Sequence, residues 1–224
     1  MAFSMGLPEG AVSKEATLAH CAQIVSATNL PVSADLERGF GDSPDVVAQT
    51  ILDAASIGLA GCSIEDHTGD TSKPIYDFGL AVERIAAAVQ CAHSLPCKFV
   101  LTARCESLLW GETKFDRLIN RLLAFEEAGA DVLFAPGIRD VSAIRTLCSA
   151  LTKPVNVVVE TVSTIGLFEL ANAGVKRVST GSRLACAAYS SLIVAAKEMQ
   201  GAGTFAFSES ALTFDEVASY FVER

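Results

Sequence analysis

The chain has 224 residues, half of them hydrophobic and 19% charged, with 17 basic against 26 acidic side chains and a net charge of −9. That length suits one large domain or two small ones, with a sizeable core. No basic run or basic–aromatic stripe invites nucleic acid, and no apolar run is long enough for a membrane span. In chain order, periodicity predicts a helix over Ser13–Thr28, a strand over Pro31–Asp35, a helix over Pro44–Ile57 and a strand over Ala60–Ile64. The alternation continues with helix Asp77–Ser94, strand Lys98–Ala103, helix Lys114–Ala128, strand Asp131–Phe134 and helix Val141–Leu151. It closes with strand Pro154–Val159, helix Ser163–Ala173, strand Lys176–Thr180 and helix Ser182–Met199. After a break at Gly201–Thr204, Ser210 or Thr213 caps a last helix, Phe214–Val222, whose apolar character points to a homo-oligomer.

The helix-to-strand junctions use Pro31, Gly58, Pro96, Gly129, Pro154 and Gly174 in turn. The glycines suit left-handed helix caps, and the prolines stop a helix where a missing N–H is tolerated. Six such units imply a parallel sheet with right-handed crossovers. A closed (β/α)₈ barrel needs eight, and the opening MAFSMGLP reads like the inside of a loop. The fold class expected is therefore α/β, a TIM-barrel type lacking its first one or two strands. Residues 1–200 would form the barrel domain and 201–224 a C-terminal helical extension. A six-stranded open sheet is the alternative, although no GxGxxG or GxxxxGK[ST] follows any strand.

Seven scattered cysteines without a CxxC pair read as reduced core thiols of a cytoplasmic protein. The N-terminus has no basic n-region and no long apolar stretch, so no signal peptide is expected.

Acidic residues mark the ends of consecutive strands, where side chains of a parallel α/β fold converge on one mouth. Asp35 and Glu37, two apart, would share one side of an extended strand end, and Gly39 then turns the backbone to leave room for an ion or substrate. Glu65 and Asp66 end the next strand. Such carboxylates call for a cation, and a hard one such as Mg²⁺, with Mn²⁺ as the substitute, wants oxygen ligands. The lack of paired histidines with metal spacing argues against zinc. His67 adjoins the acids and is a candidate catalytic group. Arg104 ends the third strand as a fork for a carboxylate or phosphate, with Glu106 as its orienting partner. Asn156 can donate to a substrate oxygen or serve the core. The polar segment Asp66–Asp77 has the size of a lid.

With these residues in view, the chain resembles the phosphoenolpyruvate mutase/isocitrate lyase superfamily. The matching segments are LPVSADLERGFGD, GLAGCSIEDHTGD, FVLTARCES, EEAGADVLFAPGI and KPVNVVV, running from about Gly6 to Ser190. The TGD and YDF that follow IED look most like the family's short, little-characterised members. The resemblance implies a Mg²⁺-dependent barrel acting on small 2-oxo or 2-hydroxy carboxylates through an enolate-like intermediate. Asp35 would be the principal metal-site acid, and Glu37, where many members have Asp, would act through water. Glu65 would complete the outer shell, and Arg104 would hold a substrate carboxylate.

Three departures qualify that picture. The loop HTGDTSKPIYD lacks the KKCGH-type cysteine, which argues against isocitrate or methylisocitrate cleavage. The GLPD motif reads Gly6-Leu7-Pro8-Glu9, which makes Glu9 the substrate-binding candidate there. The family's first two strands would lie upstream of Met1. The leading expectation is a lyase or decarboxylase of a small oxo- or hydroxy-diacid. A catalytically silent assembly partner and a carbon–phosphorus bond mutase are the alternatives.

Overall fold

Each strand pairs in parallel with the one before it in sequence. The protein, seen as a computed structural model, is described for residues 1–8, 10–160, 162 and 164–221. The strands are β1 (Ser33–Asp35), β2 (Gly61–Glu65), β3 (Val100–Arg104), β4 (Val132–Phe134), β5 (Val155–Val158) and β6 (Arg177–Ser179). Between them run α1 (Lys14–Ser26), α2 (Pro44–Ser56), α3 (Phe78–Ser94), α4 (Phe115–Glu127), α5 (Val141–Ala150) and α6 (Leu167–Asn172), with α1 preceding β1. The sheet order is β1-β2-β3-β4-β5-β6.

That order removes the open doubly wound alternative, which needs a reversal of direction within the sheet. With every right-handed crossover stepping the same way, the helices cover one face and the sheet curls around the other. The result is six parallel strands in a partial (β/α) barrel. Side-chain alternation along the strands sorts the two faces. Cys62, Ile64, Leu101, Ala103 and Leu133 are fully buried under the helices. Asp35, Ser63, Thr102, Arg104, Asn156 and Arg177 occupy the alternate positions. The core is completed by Val47, Ile51 and Ala54 of α2, Ile85 and Ala88 of α3, and Leu118, Leu122 and Phe125 of α4, each set at helical spacing.

Local chemistry explains the boundaries. Ser43 accepts from the Val46 N–H with Pro44 at the first helical position, and Asp140 caps α5 in the same way. Gly58, Gly129 and Gly174 have φ of 87°, 102° and 101°, the left-handed conformation their cap positions require. The expected α6 over Ser163–Ala173 shortens to Leu167–Asn172, and Ser163 lies outside the described residues. A short 3₁₀ turn at Ser107–Trp110, which periodicity cannot signal, follows β3.

The contact pattern separates Met1–Ser179 from a second unit beginning at Thr180. That unit holds α7 (Arg183–Gly201), a 3₁₀ turn at Ala206–Glu209 and α8 (Phe214–Ser219). Thr213 opens α8 with a reciprocal capping box to Glu216. Val222, the expected end of that helix, lies outside the described residues. No helix among the described residues is long and apolar enough to cross a membrane.

Candidate active site

The turn after β1 departs from the extended geometry expected for Asp35 and Glu37. Strand β1 ends at Asp35, Leu36 tucks fully into the core, and Glu37 and Phe40 have φ of 51° and 60°. Gly39, at φ 77°, completes a tight left-handed turn. Asp35 and Glu37 therefore share a cavity because the chain turns, not because a strand pleats. The turn's carbonyls are held from outside. Arg84 of α3, 1% exposed, donates to the carbonyls of Arg38, Gly41 and Asp42 and lies 4.2 Å above the Tyr76 ring. The Tyr76 hydroxyl donates to Asp42.

Strand pairing places Arg104 opposite Glu65. Its Nη1 donates to Asp35 Oδ2 at 2.8 Å, while its Nε donates to Glu106 and lies 3.5 Å from Glu65 Oε2. Burial works against the charge of Arg104, but Asp35, Glu106 and Glu65 outweigh it and hold the group protonated. Asp35 also accepts from the Glu37 N–H at 3.0 Å and from Ser63 Oγ at 3.2 Å. Burial pushes the Glu65 carboxyl up to about 8 against the opposing pull of Arg104. Burial likewise raises Glu106.

Asp66, one residue on from Glu65, turns away from this group. It is 3% exposed and accepts from the Glu106 N–H at 2.7 Å and from Arg121 of α4 at 3.2 Å. It is a structural acid that seats the end of β3. The loop that follows is a small hairpin, with His67 bridged to Ile75 and the Thr68 N–H donating to the Pro74 carbonyl at 2.8 Å. Arg38 donates to the Thr68 carbonyl and so clips the hairpin to the β1 turn. His67 Nδ1 is 3.8 Å from Glu65, and its ring stacks on the Trp110 indole at 4.7 Å and 13°. Burial and then Arg38 hold the imidazole pKa below its ordinary value.

Asp35, Glu37, Glu65, His67, Arg104 and Glu106 line one cavity of about 830 Å³, together with Arg38, Phe40, Leu109 and Trp110. Gly39 and Asn156 are not among its lining residues. The Gly39 carbonyl is taken by Thr50 of α2, and Asn156 donates to Ser179 on β6 while its Oδ1 is buried without a partner. Glu9 lies outside the described residues, although Gly10 and Ala11 reach the cavity. Sequence reading missed Trp110, Arg38 and Arg84. The signals present were a single tryptophan and an arginine in the apolar run GLAVERIAAA. Cys62 and Cys105 are buried, and burial pushes the Cys105 thiol up to about 12, so neither is an activated nucleophile.

Among the described residues no three His, Cys, Asp or Glu side chains form a ready-made metal cage. Mg²⁺ does not need one, since it keeps several waters and binds through one or two carboxylates. The cavity sets four carboxylates against two guanidinium groups and drives Glu65 toward its neutral form. That donor set fits a divalent cation.

Known proteins share this arrangement of elements. The phosphoenolpyruvate phosphomutase family model matches residues 1–200. The 2-methylisocitrate lyase of Escherichia coli (strain K12) is 34% identical over 161 residues, 69% of this chain and 53% of that protein. The chain spans about half the length of the curated relatives it matches. A candidate lyase/mutase from Burkholderia cenocepacia J2315 superposes with a TM-score of 0.95 at 49% identity, covering 99% of this chain and 80% of that one. A candidate phosphonomutase from the same organism gives 0.80 at 34% identity, covering 88% and 81%.

Proposed function

The chain belongs to the phosphoenolpyruvate mutase/isocitrate lyase superfamily, and from that membership we propose a Mg²⁺-dependent lyase or decarboxylase of small 2-oxo or 2-hydroxy carboxylic acids. The observation that carries this reading is the convergence of Asp35, Glu65 and Arg104 at the mouth of the sheet, with Arg104 2.8 Å and 3.5 Å from the two acids. Asp35 and Glu65 would hold Mg²⁺ (or Mn²⁺), with Glu37 acting through water. When bound, the ion would supply Lewis-acid stabilisation of the oxygen on which enolate charge develops.

The chain's own groups do the rest. Arg104, pre-set by Glu106, grips the substrate carboxylate, since a guanidinium fork matches its two oxygens. His67, stacked on Trp110 and 3.8 Å from Glu65, would carry a proton to or from the substrate. The free cysteines support a cytoplasmic location, and exposed Leu192 and Val194 of α7 support a homo-oligomer.

Purified protein is expected to turn over such acids only with Mg²⁺ or Mn²⁺ present and to lose activity on chelation. If added metal neither binds nor supports turnover, the reading is wrong. Likeness to the candidate phosphonomutase over 88% of the chain favours one second reading, a carbon–phosphorus bond mutase. Arg104 would accept a phosphonate as it does a carboxylate, and formation of a phosphonate product from an enol phosphate would reveal it.

A further inference from the structure

Two guanidinium groups line the cavity, and their circumstances differ. Arg104 faces Asp35, Glu65 and Glu106, and in the reading above it grips one anionic group of the substrate. Arg38 takes part in none of the ion pairs among the described residues. Its Nη1 donates to a neutral group, the Thr68 carbonyl. A guanidinium carries several N–H donors in a rigid fork, so most of this fork is open to a ligand. Its charge is felt in the site, where after burial it is the next influence holding the His67 imidazole below its ordinary pKa. An arginine without an acid in a concave polar site suits a carboxylate or a phosphoryl group.

The fork is also held in place before any ligand arrives. Arg84 donates to the Arg38 carbonyl and fixes the backbone, while the Thr68 carbonyl fixes the tip. Gly69, at φ 82°, leaves the space that Nη1 fills, where a Cβ would collide with it. Such preorganisation lowers the ordering cost of binding. Arg177, on the same face of the sheet as Arg104, does not compete for this role. It donates to Thr102 Oγ1 at 2.9 Å and is not among the residues lining the cavity.

We propose that Arg38 determines specificity at this site by holding a second oxyanion of the substrate while Arg104 holds the first. That second group is a carboxylate in a 2-oxo or 2-hydroxy diacid and a phosphoryl group in an enol phosphate or a phosphonate. The assignment rests on the two readings above and adds the residue that recognises what their substrates share. Acids of similar length without the second oxyanion leave the Arg38 fork unmatched and bind more weakly.

The test uses the full chain with Mg²⁺ and calorimetry. Malate is compared with 2-hydroxybutanoate, and 3-phosphonopyruvate with pyruvate, while oxalate probes the metal and Arg104 alone. In at least one pair the ligand with the second oxyanion is expected to bind about 10-fold tighter or more, the worth of a charge-assisted contact. The pair that shows the preference tells carboxylate from phosphoryl group. Arg38→Met should abolish the preference while weakening oxalate far less. Arg38→Lys, which keeps a charge without the fork, should retain part of it. Equal binding within both pairs by the unaltered protein overturns the proposal, whether or not the variants fold. A preference that survives in Arg38→Met overturns it too. So does a loss in Arg38→Met shared equally by oxalate and both members of each pair, the pattern of a residue that only clips the hairpin. Oxalate separates the two levels. Oxalate binding without a preference within either pair sinks this inference alone, whereas no Mg²⁺-dependent oxalate binding sinks the enzymatic reading with it.

Discussion

Arg84 Nη1 on α3 donates to the Gly41 carbonyl at 2.6 Å, so a helix on the outer layer holds the turn that carries Asp35 and Glu37 into the cavity. The same guanidinium also serves the Asp42 and Arg38 carbonyls, in a turn where Glu37, Gly39 and Phe40 all have positive φ. Those donors, with Thr50 on the Gly39 carbonyl, offset the conformational cost of the left-handed turn. Arg84→Leu is expected to lower stability by about 3–5 kcal/mol by urea denaturation, since the carbonyls lose a buried charged partner. Mg²⁺-dependent oxalate binding should weaken with it. A variant with wild-type stability would show that the turn holds itself.

Arg104→Lys keeps the charge and loses the fork. A lysine cannot donate to Asp35 and Glu106 along two fixed directions and still meet a substrate carboxylate. Oxalate affinity in the presence of Mg²⁺ is expected to fall by roughly 10- to 100-fold, the equivalent of one charge-assisted bidentate contact. Calorimetry measures it, and an unchanged affinity would remove Arg104 from substrate binding.

Glu65 ties stability to pH in the metal-free protein. Its folded-state pKa of about 8 lies above its ordinary value of 4.5, because burial disfavours the charged form. The folded state therefore binds the proton more tightly than the unfolded chain does. The resulting stabilisation is complete below about pH 4.5 and is lost as pH rises through about 8. Melting temperature of chelator-treated protein should fall between about pH 5 and 8 and level off above that, and Glu65→Gln should flatten that fall. An identical slope in the variant would assign the effect elsewhere.

Asp66 and Arg121 form a buried pair whose loss is asymmetric. Arg121→Leu leaves the Asp66 carboxylate without its cation and is expected to cost about 3–5 kcal/mol. Pairing it with Asp66→Asn should recover a substantial part, because the second change removes the stranded charge. A double-mutant cycle by urea denaturation tests this, and strict additivity would deny the coupling.

Gly61 permits the close approach of β2 to β3. A Cβ at that position would lie 2.4 Å from the Val100 carbonyl oxygen, a backbone atom that cannot swing aside. Gly61→Ala is expected to destabilise by about 1–3 kcal/mol, the range for overpacking. Since Ser63 and Glu65 ride on the same strand, oxalate binding should weaken in parallel.

Much of this architecture was legible in one dimension. The six strands and the helices between them follow from alternation, and Gly58, Gly129 and Gly174 occupy the left-handed caps that their positions announced. The strand ends at Asp35, Glu65 and Arg104 could be placed because parallel strands expose their C-terminal ends together. Spacing misled at Asp35 and Glu37, where pleating was assumed and a turn does the work. It was also silent on Glu65 and Asp66, since adjacent residues at a strand end face opposite sides and the pattern does not say which faces the mouth.

The sequence by itself determined the order of elements, the sheet type and the stock of acids and arginines available to a site, because periodicity, caps and strand polarity are local properties of the chain. Only the tertiary structure decided that Glu65 enters the cavity while Asp66 pairs with Arg121, that Arg84 holds the turn beyond β1, and that Trp110 lies on His67. Each of those contacts joins residues 43 to 55 positions apart, from Trp110 and His67 to Arg121 and Asp66. No local pattern encodes such a separation, and it is closed only when the curling sheet and its helices pack together.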